Sequence, residues 1–270
     1  MTDPKRDRWG RYILTDPDTG EEKPWTRVTT LASVLDSEFG LSKWKMRNVV
    51  LGLVTRPDLL DIAYASDPED KQQLDELCED ALKAANTEVR ANQGTALHKF
   101  TARIDTGDLS RNPRQWDADL KAYEVFKEEN DIQTAPSLIE RITVIPSLET
   151  AGTIDRIVKH ENEPKIADLK TGGSLTHGGM SITIQLAMYS RGKGLWNEVT
   201  GKWSAMPPVS QTEGLVMYLP AGEASPELYR VNLELGWEMA KVAKMVYDWR
   251  KDKEMLVKDQ DRISETGDGQ

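Results

Sequence analysis

The spacing of apolar positions along this chain changes several times, and each change marks an element. Between 138 and 170 apolar residues cluster in short runs broken by polar turns, which predicts strands over about 138–145, 151–159 and 165–170. From 179 to 191 the period lengthens. Ile182, Gln185, Leu186 and Tyr189 fall at i, i+3, i+4 and i+7, one face of a helix. Leu97, Phe100, Thr101 and Ile104 form a similar stripe upstream. Trp116, Leu120, Tyr123 and Phe126 form another, in a helix predicted to start at Asn112-Pro113, a cap followed by proline at the first helical position. At the N-terminal end, strands over 11–14 and 25–29 flank the turn T-D-P-D-T-G, and helices follow to about 104 with a break near Thr55-Arg56-Pro57. After the 179–191 helix come strands over 215–219 and 228–231. A long closing helix then carries Leu235, Met239, Val242, Val246 and Trp249 at heptad-like spacing, read as core packing with an oligomer seam as the alternative. The pattern predicts an α/β (α+β) fold: a small mixed central sheet flanked by helices, with an N-terminal hairpin and helical elaboration. It predicts one domain over 1–256, with the hairpin and helical part at 10–135, the core at 90–250 and a disordered polar tail at 257–270.

Composition narrows the class. With 270 residues, 38% hydrophobic and 30% charged, the chain can bury an ordinary core. No stretch approaches the ~20 apolar residues of a membrane span, and the N-terminus lacks the apolar run of a signal peptide, so cytoplasmic residence and no membrane partner are expected. The one cysteine, Cys78, excludes an intramolecular disulfide, a four-cysteine iron–sulfur cluster and a zinc site of the usual Cys/His kind. No G-x-x-x-x-G-K-[ST] run occurs, so no nucleotide cofactor is expected.

The segment 152–170, G-T-I-D-R-I-V-K-H-E-N-E-P-K-I-A-D-L-K, concentrates the chemistry. It reads as a hairpin with Asp155 inside the first strand and Asp168 and Lys170 at the end of the second. Side chains alternate along a strand, so Asp168 and Lys170 share a face with Ile166, and Asp155 shares one with Thr153 and Ile157. A D-x-K triplet on its own is ordinary surface charge. Here Ile154, Ile157, Val158, Ile166 and Leu169 make both strands read as buried, where unpaired charge is costly. Two acids and a lysine converging on apolar strands suit a divalent cation and a water beside a phosphodiester. Gln185 interrupts the apolar face of the 179–191 helix, either as a core-edge residue or as a side chain aimed at the strand ends. His98, in G-T-A-L-H-K-F, sits at the margin of its helical stripe and by itself reads as structural.

Taken in order, G-T-x-x-H, G-T-x-D, D-x-K-T-G and Q-x-x-x-Y resemble the PD-(D/E)XK nuclease superfamily, nearest to its RecB-type and phage exonuclease branch. The resemblance spans about 25–190 and includes W-T-R-V-T-T-L at 25–31. It implies a restriction-endonuclease-like core. Carried over by position, it implies that His98, Asp155, Asp168 and the carbonyl of Leu169 hold one or two Mg²⁺ or Mn²⁺ ions. Lys170 would serve the attacking water, Gln185 and Tyr189 would complete the site, and Glu140 matches an acidic residue of some relatives. Ile154 stands where the superfamily's name-giving proline would be.

The implied activity is metal-dependent DNA exonucleolysis in phage-type recombination or end resection, with DNA as substrate and a single-strand annealing protein as a plausible partner. A structure-selective or site-specific endonuclease, and a catalytically silent DNA-binding or assembly subunit, are the alternatives. The net charge of −10 requires any DNA path to be a local basic patch. Arg90, Lys99 and Arg103 on the histidine helix and Lys43, Lys45 and Arg47 in K-W-K-M-R are the candidates. The acidic tracts 58–80 and 124–131 would face away from DNA or meet a partner protein, and homo-oligomerisation stays open. The loop 171–181 reads as a cover over the site or a flexible connection. Trp196 and Trp203, in an insertion over 192–212, are expected to pack locally rather than stack on bases.

Overall fold

Trp25 anchors the N-terminal hairpin. Strands β1 (Tyr12–Thr15) and β2 (Glu22–Arg27) pair antiparallel with Tyr12 opposite Trp25. Trp25 is fully buried and its indole N–H donates to the Leu14 carbonyl at 3.1 Å. The computed structural model describes residues 4–85, 87–108, 113–172, 175 and 178–252, with 87–91 as backbone alone. The predicted tail at 257–270 therefore lies outside the described residues, as do Asn112 and most of the 173–177 loop.

The strand expected over 25–29 ends at Arg27. Helix α1 (Val28–Ala32) starts there because Val28, Leu31 and Ala32, at i, i+3 and i+4, are all buried. Three helices follow, α2 (Phe39–Thr55), α3 (Asp58–Ala65) and α4 (Lys71–Ala84), with the expected break at Arg56-Pro57. Asp70 caps α4 by accepting the Gln73 N–H at 3.1 Å. Helix α5 (Thr87–Asp105) carries His98. Helix α6 (Asp117–Glu129) begins later than predicted: Pro113 is extended, and a 3₁₀ turn at Arg114–Trp116 precedes the helix. Its stripe of Trp116, Leu120, Tyr123 and Phe126 is buried as expected.

The centre is formed by β3 (Gln133–Ile145), β4 (Thr150–His160), β5 (Glu163–Lys170), helix α7 (Gly179–Ser190), the small hairpin β6 (Leu195–Asn197) and β7 (Lys202–Ser204), then β8 (Glu213–Tyr218), β9 (Glu227–Asn232) and helix α8 (Leu233–Trp249). The result is a mixed sheet of seven strands flanked by helices, in the order β1-β2-β4-β5-β8-β9, with β3 also paired to β4. The β2·β4 and β5·β8 pairs are parallel and the rest antiparallel. One face packs Ile157, Ile166 and Val216 against α1, α7 and α8. The other packs Val158, Ala167, Leu169 and Met217 against α5 and α6.

Helix α8 corrects one expectation. Leu235 and Trp249 of the heptad-like stripe are exposed, and the buried seam is Leu233, Gly236, Ala240 and Ala243. Small residues win because α8 lies close on α7: a Cβ at Gly236 would stand 2.5 Å from the Thr183 carbonyl oxygen. In the 192–212 insertion, Trp196 and Trp203 meet edge to face at 4.9 Å, and the Trp203 indole donates to the Thr15 carbonyl. They pack locally, as expected.

Candidate active site

The site lies where β5 parts from β4. The β4·β5 register runs from His160↔Glu163 to Arg156↔Ala167. One step further would set Asp155 opposite Asp168, and residues opposite each other in an antiparallel pair share a face. There the Asp155 side chain replaces the backbone partner, its Oδ2 accepting the Leu169 N–H at 2.7 Å. Beyond it, β2 takes up the pairing to β4 at Thr150 and Ala151. On the other side, Ile139↔Arg156 and Arg141↔Ile154 bracket Glu140, setting it level with Asp155. Glu140 has φ +49°, the left-handed region that a residue with a Cβ adopts at a cost, and such strain gathers at functional sites. Three neighbouring strands thus bring Glu140, Asp155 and Asp168 into one row.

The charges of this row are unequal. Asp155 and Asp168 are buried. Burial alone would raise the Asp155 carboxyl, but the Arg156 charge, the neighbouring His98 and the Leu169 N–H outweigh it and hold it well below the usual carboxylate range. Asp168 is raised, by burial first and by the charge of Asp155, against the pull of Lys170. Glu140 is pushed up to about 7, by burial of its carboxyl and by the adjoining Asp155. As a residue Glu140 is exposed, and solvent tempers that shift. Lys170 Nζ stands 2.7 Å from Asp168 Oδ2, and Arg156 Nη1 2.7 Å from Asp155 Oδ1. Both oxygens are buried and make no aligned hydrogen bond, so each retains acceptor capacity.

Around the row, His98 Nδ1 lies 3.9 Å from Asp155 Oδ2, beyond hydrogen-bond range but beside the carboxylate. Gln185 and Tyr189 sit one turn apart on α7, with Gln185 Nε2 3.5 Å from the Tyr189 hydroxyl. Tyr189 is buried, and burial raises its phenol well above the ordinary range. It lies against the glycine of G-T-I-D: a Cβ at Gly152 would stand 2.7 Å from its oxygen. Gly94, in G-T-A-L-H, lets α5 approach the end of β5 in the same way, since a Cβ there would meet Thr171 Oγ1 at 2.7 Å. Lys170 and Gln185 face a cleft of about 360 Å³ that Thr29, Ser33, Ser181 and Ile182 also line. A larger groove of 630 Å³, between α6 and the start of β3, contains none of these residues.

Sequence reasoning missed the group behind the row. Arg156 is fully buried. Its Nε donates to Asp105 Oδ2 at 2.6 Å and its Nη2 to Thr101 Oγ1 at 2.9 Å. Tyr123 donates to the same Asp105 oxygen at 2.8 Å, and Lys127 pairs with the other. An arginine inside the apolar run I-D-R-I-V was the available signal. His98, Thr101 and Asp105 are spaced i, i+3 and i+7, so Arg156 ties the histidine-bearing face of α5 to β4.

Of the DNA-binding candidates, Lys43, Lys45 and Arg47 are exposed on α2 and Lys99 on α5. Arg103 is held by Asp108 at 2.9 Å, and the Arg90 side chain lies outside the described residues. Among the described residues, no helix is long and apolar enough to cross a membrane.

A second donor group lies elsewhere. His160, Glu161 and Glu213 bring one ligand atom each within 4.8 Å of one another and could hold a metal ion. Both glutamates are already paired with Lys165 and Arg230. In the predicted site, Asp155 and Asp168 each keep a buried oxygen with spare acceptor capacity, in one row with the Glu140 carboxyl. That donor set fits a divalent cation.

The raised Glu140 carboxyl gives a pH expectation for the cation-free protein. A carboxyl whose folded pKa lies above its unfolded value leaves stability intact below the unfolded pKa and removes it as pH rises through the folded one. Glu140 should therefore cost stability between 4.5 and about 7. In chelator, Glu140→Gln should flatten the melting temperature against pH across that window. Parallel curves for the two proteins would refute it.

No protein-family model matches the chain, and no curated protein does.

Proposed function

We propose that this chain is a metal-dependent deoxyribonuclease of the PD-(D/E)XK superfamily, acting as an exonuclease in DNA end resection or phage-type recombination. One observation carries the reading: Glu140, Asp155 and Asp168 from three adjacent strands meet in one row, with Lys170 at 2.7 Å from Asp168 facing an open cleft. Asp155 and Asp168, with His98 and the Leu169 carbonyl as further donors, would hold Mg²⁺ or Mn²⁺, which would supply Lewis-acid activation of water and neutralise charge on the phosphodiester. Lys170, fixed by Asp168, orients the attacking water and stabilises negative charge as the phosphorus–oxygen bond forms. Glu140, level with Asp155 across the sheet, is placed to accept the proton that the water loses. Gln185 offers an amide to a phosphate oxygen in the cleft. Arg156 holds Asp155 ionised and α5 in place.

The test is digestion of end-labelled linear duplex, nicked circle and single strand with Mg²⁺ or Mn²⁺. Loss of linear substrates alone is expected. Cutting of the circle would make the protein an endonuclease on the same fold, and no cutting of any substrate would make it a silent subunit. His98→Ala should lower the rate and shift preference away from Mn²⁺ toward Mg²⁺, because imidazole suits Mn²⁺ better. If His98 only packs, the variant would instead melt earlier and cleave normally per folded molecule.

A further inference from the structure

Residues 5–11, K-R-D-R-W-G-R, hold four cations and one acid in a chain whose net charge is −10. They fold into a tight turn. The Asp7 carboxylate accepts the N–H groups of Trp9 and Arg11 at 2.9 Å each and the Arg11 Nε at 2.7 Å. The Asp7 carbonyl accepts the Gly10 N–H, and Gly10 takes φ +75°, which favours glycine. The one acid is thus engaged by the turn itself. Trp9 is held outward, 62% exposed and outside every hydrophobic cluster of the fold. Arg8 lies 4.0 Å and Arg11 5.0 Å from its ring centre. Lys5 pairs with Glu22, but among the described residues Arg6, Arg8 and Arg27 have no carboxylate partner. All three are exposed.

The turn borders a cleft of about 300 Å³ lined by Trp9, Arg11, Thr26, Arg27, Thr30 and Tyr247. Guanidinium groups, hydroxyls and aromatic rings meet there, and none of these lining residues is acidic. Phosphate suits the first two kinds of group and a base suits the third. A cationic groove beside an aromatic platform is the arrangement that holds a single strand without reading its sequence. An acidic peptide would satisfy the arginines but would bring no flat group to Trp9. The place also fits. Helix α1 stands between this cleft and the one that Lys170 and Gln185 face: Thr30 lines the first, Thr29 and Ser33 the second. Arg6 lies 4.0 Å from the Tyr12 ring centre, and the Tyr12 hydroxyl bonds Thr153 at 2.9 Å, two residues before Asp155 on β4.

We propose that the turn and its cleft bind a single-stranded segment of nucleic acid, with a base on Trp9 in place of the Arg8 guanidinium and phosphates on Arg8, Arg27 and the Thr26 and Thr30 hydroxyls. The inference rests on the nuclease reading, which makes nucleic acid the ligand. It places the basic path on the N-terminal turn rather than on α2 or α5.

The experiment is fluorescence anisotropy of labelled oligothymidine with the full chain in chelator, at several salt concentrations, beside the cleavage assay. Arg8→Ala/Arg27→Ala should bind at least about tenfold more weakly, with a salt slope shallower by about 1.4 units, two lost phosphate contacts at about 0.7 each. Trp9→Ala should bind at least about fivefold more weakly with its slope unchanged, and Trp9→Phe should recover most of that loss. Lys43→Glu/Arg47→Glu should bind as wild type does. The altered positions are exposed, and unchanged circular dichroism melting would show that the variants fold. A wild type without affinity for the oligonucleotide, or turn variants that bind as wild type does, would overturn the proposal, the second leaving cleavage and the nuclease reading untouched. Loss confined to Lys43→Glu/Arg47→Glu would overturn it in favour of α2. Binding that depends on the turn, with no cleavage of any substrate, would instead sink the nuclease reading and leave this site standing.

Discussion

Asp168→Ala should abolish phosphodiester cleavage, by about a thousandfold or more, while the fold survives. Lys170→Ala should do the same to the rate but should not weaken metal binding. Asp168 is buried at the end of β5, raised by its burial and by Asp155, with Lys170 as its nearest positive charge. Removing the carboxylate removes a donor from the row and lowers cation affinity. Removing the ammonium leaves Asp168 without its internal counter-ion, so the row gains negative charge and should bind Mn²⁺ as tightly as wild type or more so. The alanine at 168 also relieves a buried charge, and the variant should melt no earlier than wild type in chelator. Calorimetric titration of Mn²⁺ into both variants, beside a cleavage assay, separates the two roles. Equal losses of Mn²⁺ affinity in both variants, or retained cleavage in either, would sink the assignment.

How far such a site could be read from the sequence follows from what local pattern encodes. Strand alternation put Asp168 and Lys170 on one face and Asp155 inside a buried strand, and the structure keeps that arrangement. The helix period put Gln185 and Tyr189 on one side of α7, and they do meet across one turn. Two glycines stand in the sequence only as parts of motifs. Gly94 and Gly152 turn out to be where α5 and Tyr189 come closest to the site, a tertiary fact that no local period carries. No local pattern in L-I-E-R-I-T-V marks Glu140. Its place in the row comes from register, since β3 sets it level with Asp155 across the sheet. The closing helix departs from its stripe for a related reason. A heptad-like stripe selects large apolar residues, whereas the close α7–α8 approach selects Gly236, Ala240 and Ala243. Helix α6 starts later than the Asn-Pro pair predicts because a proline after a cap residue also opens an extended segment.

Arg156 belongs to this hidden set, and the largest loss of stability is expected from it. Its guanidinium is fully buried and serves three partners, Asp105, Thr101 and Asp155, in different directions. Arg156→Met keeps the bulk and removes the charge. Asp105 would keep Lys127 and Tyr123, but Asp155 would lose its closest cation in a site where burial already disfavours the carboxylate. Breaking a buried pair from one side typically costs about 3–5 kcal/mol, because the remaining charge stays buried and uncompensated. Arg156→Lys should recover little, since a single ammonium cannot reach three acceptors as the planar fork does. Adding Asp105→Asn to Arg156→Met should return part of the loss, as one stranded carboxylate is removed. The pH dependence has a definite sign. A carboxyl held below its unfolded pKa contributes stability that is present above that value and lost as pH falls through the folded one. Wild type should therefore gain more stability than Arg156→Met on going from acid to neutral pH. Urea unfolding of the four proteins at acid and neutral pH, in chelator, measures all of this. A loss below about 1 kcal/mol in Arg156→Met, the scale of an exposed ion pair, would mean that the network is solvated and that Asp155 is kept ionised by other means.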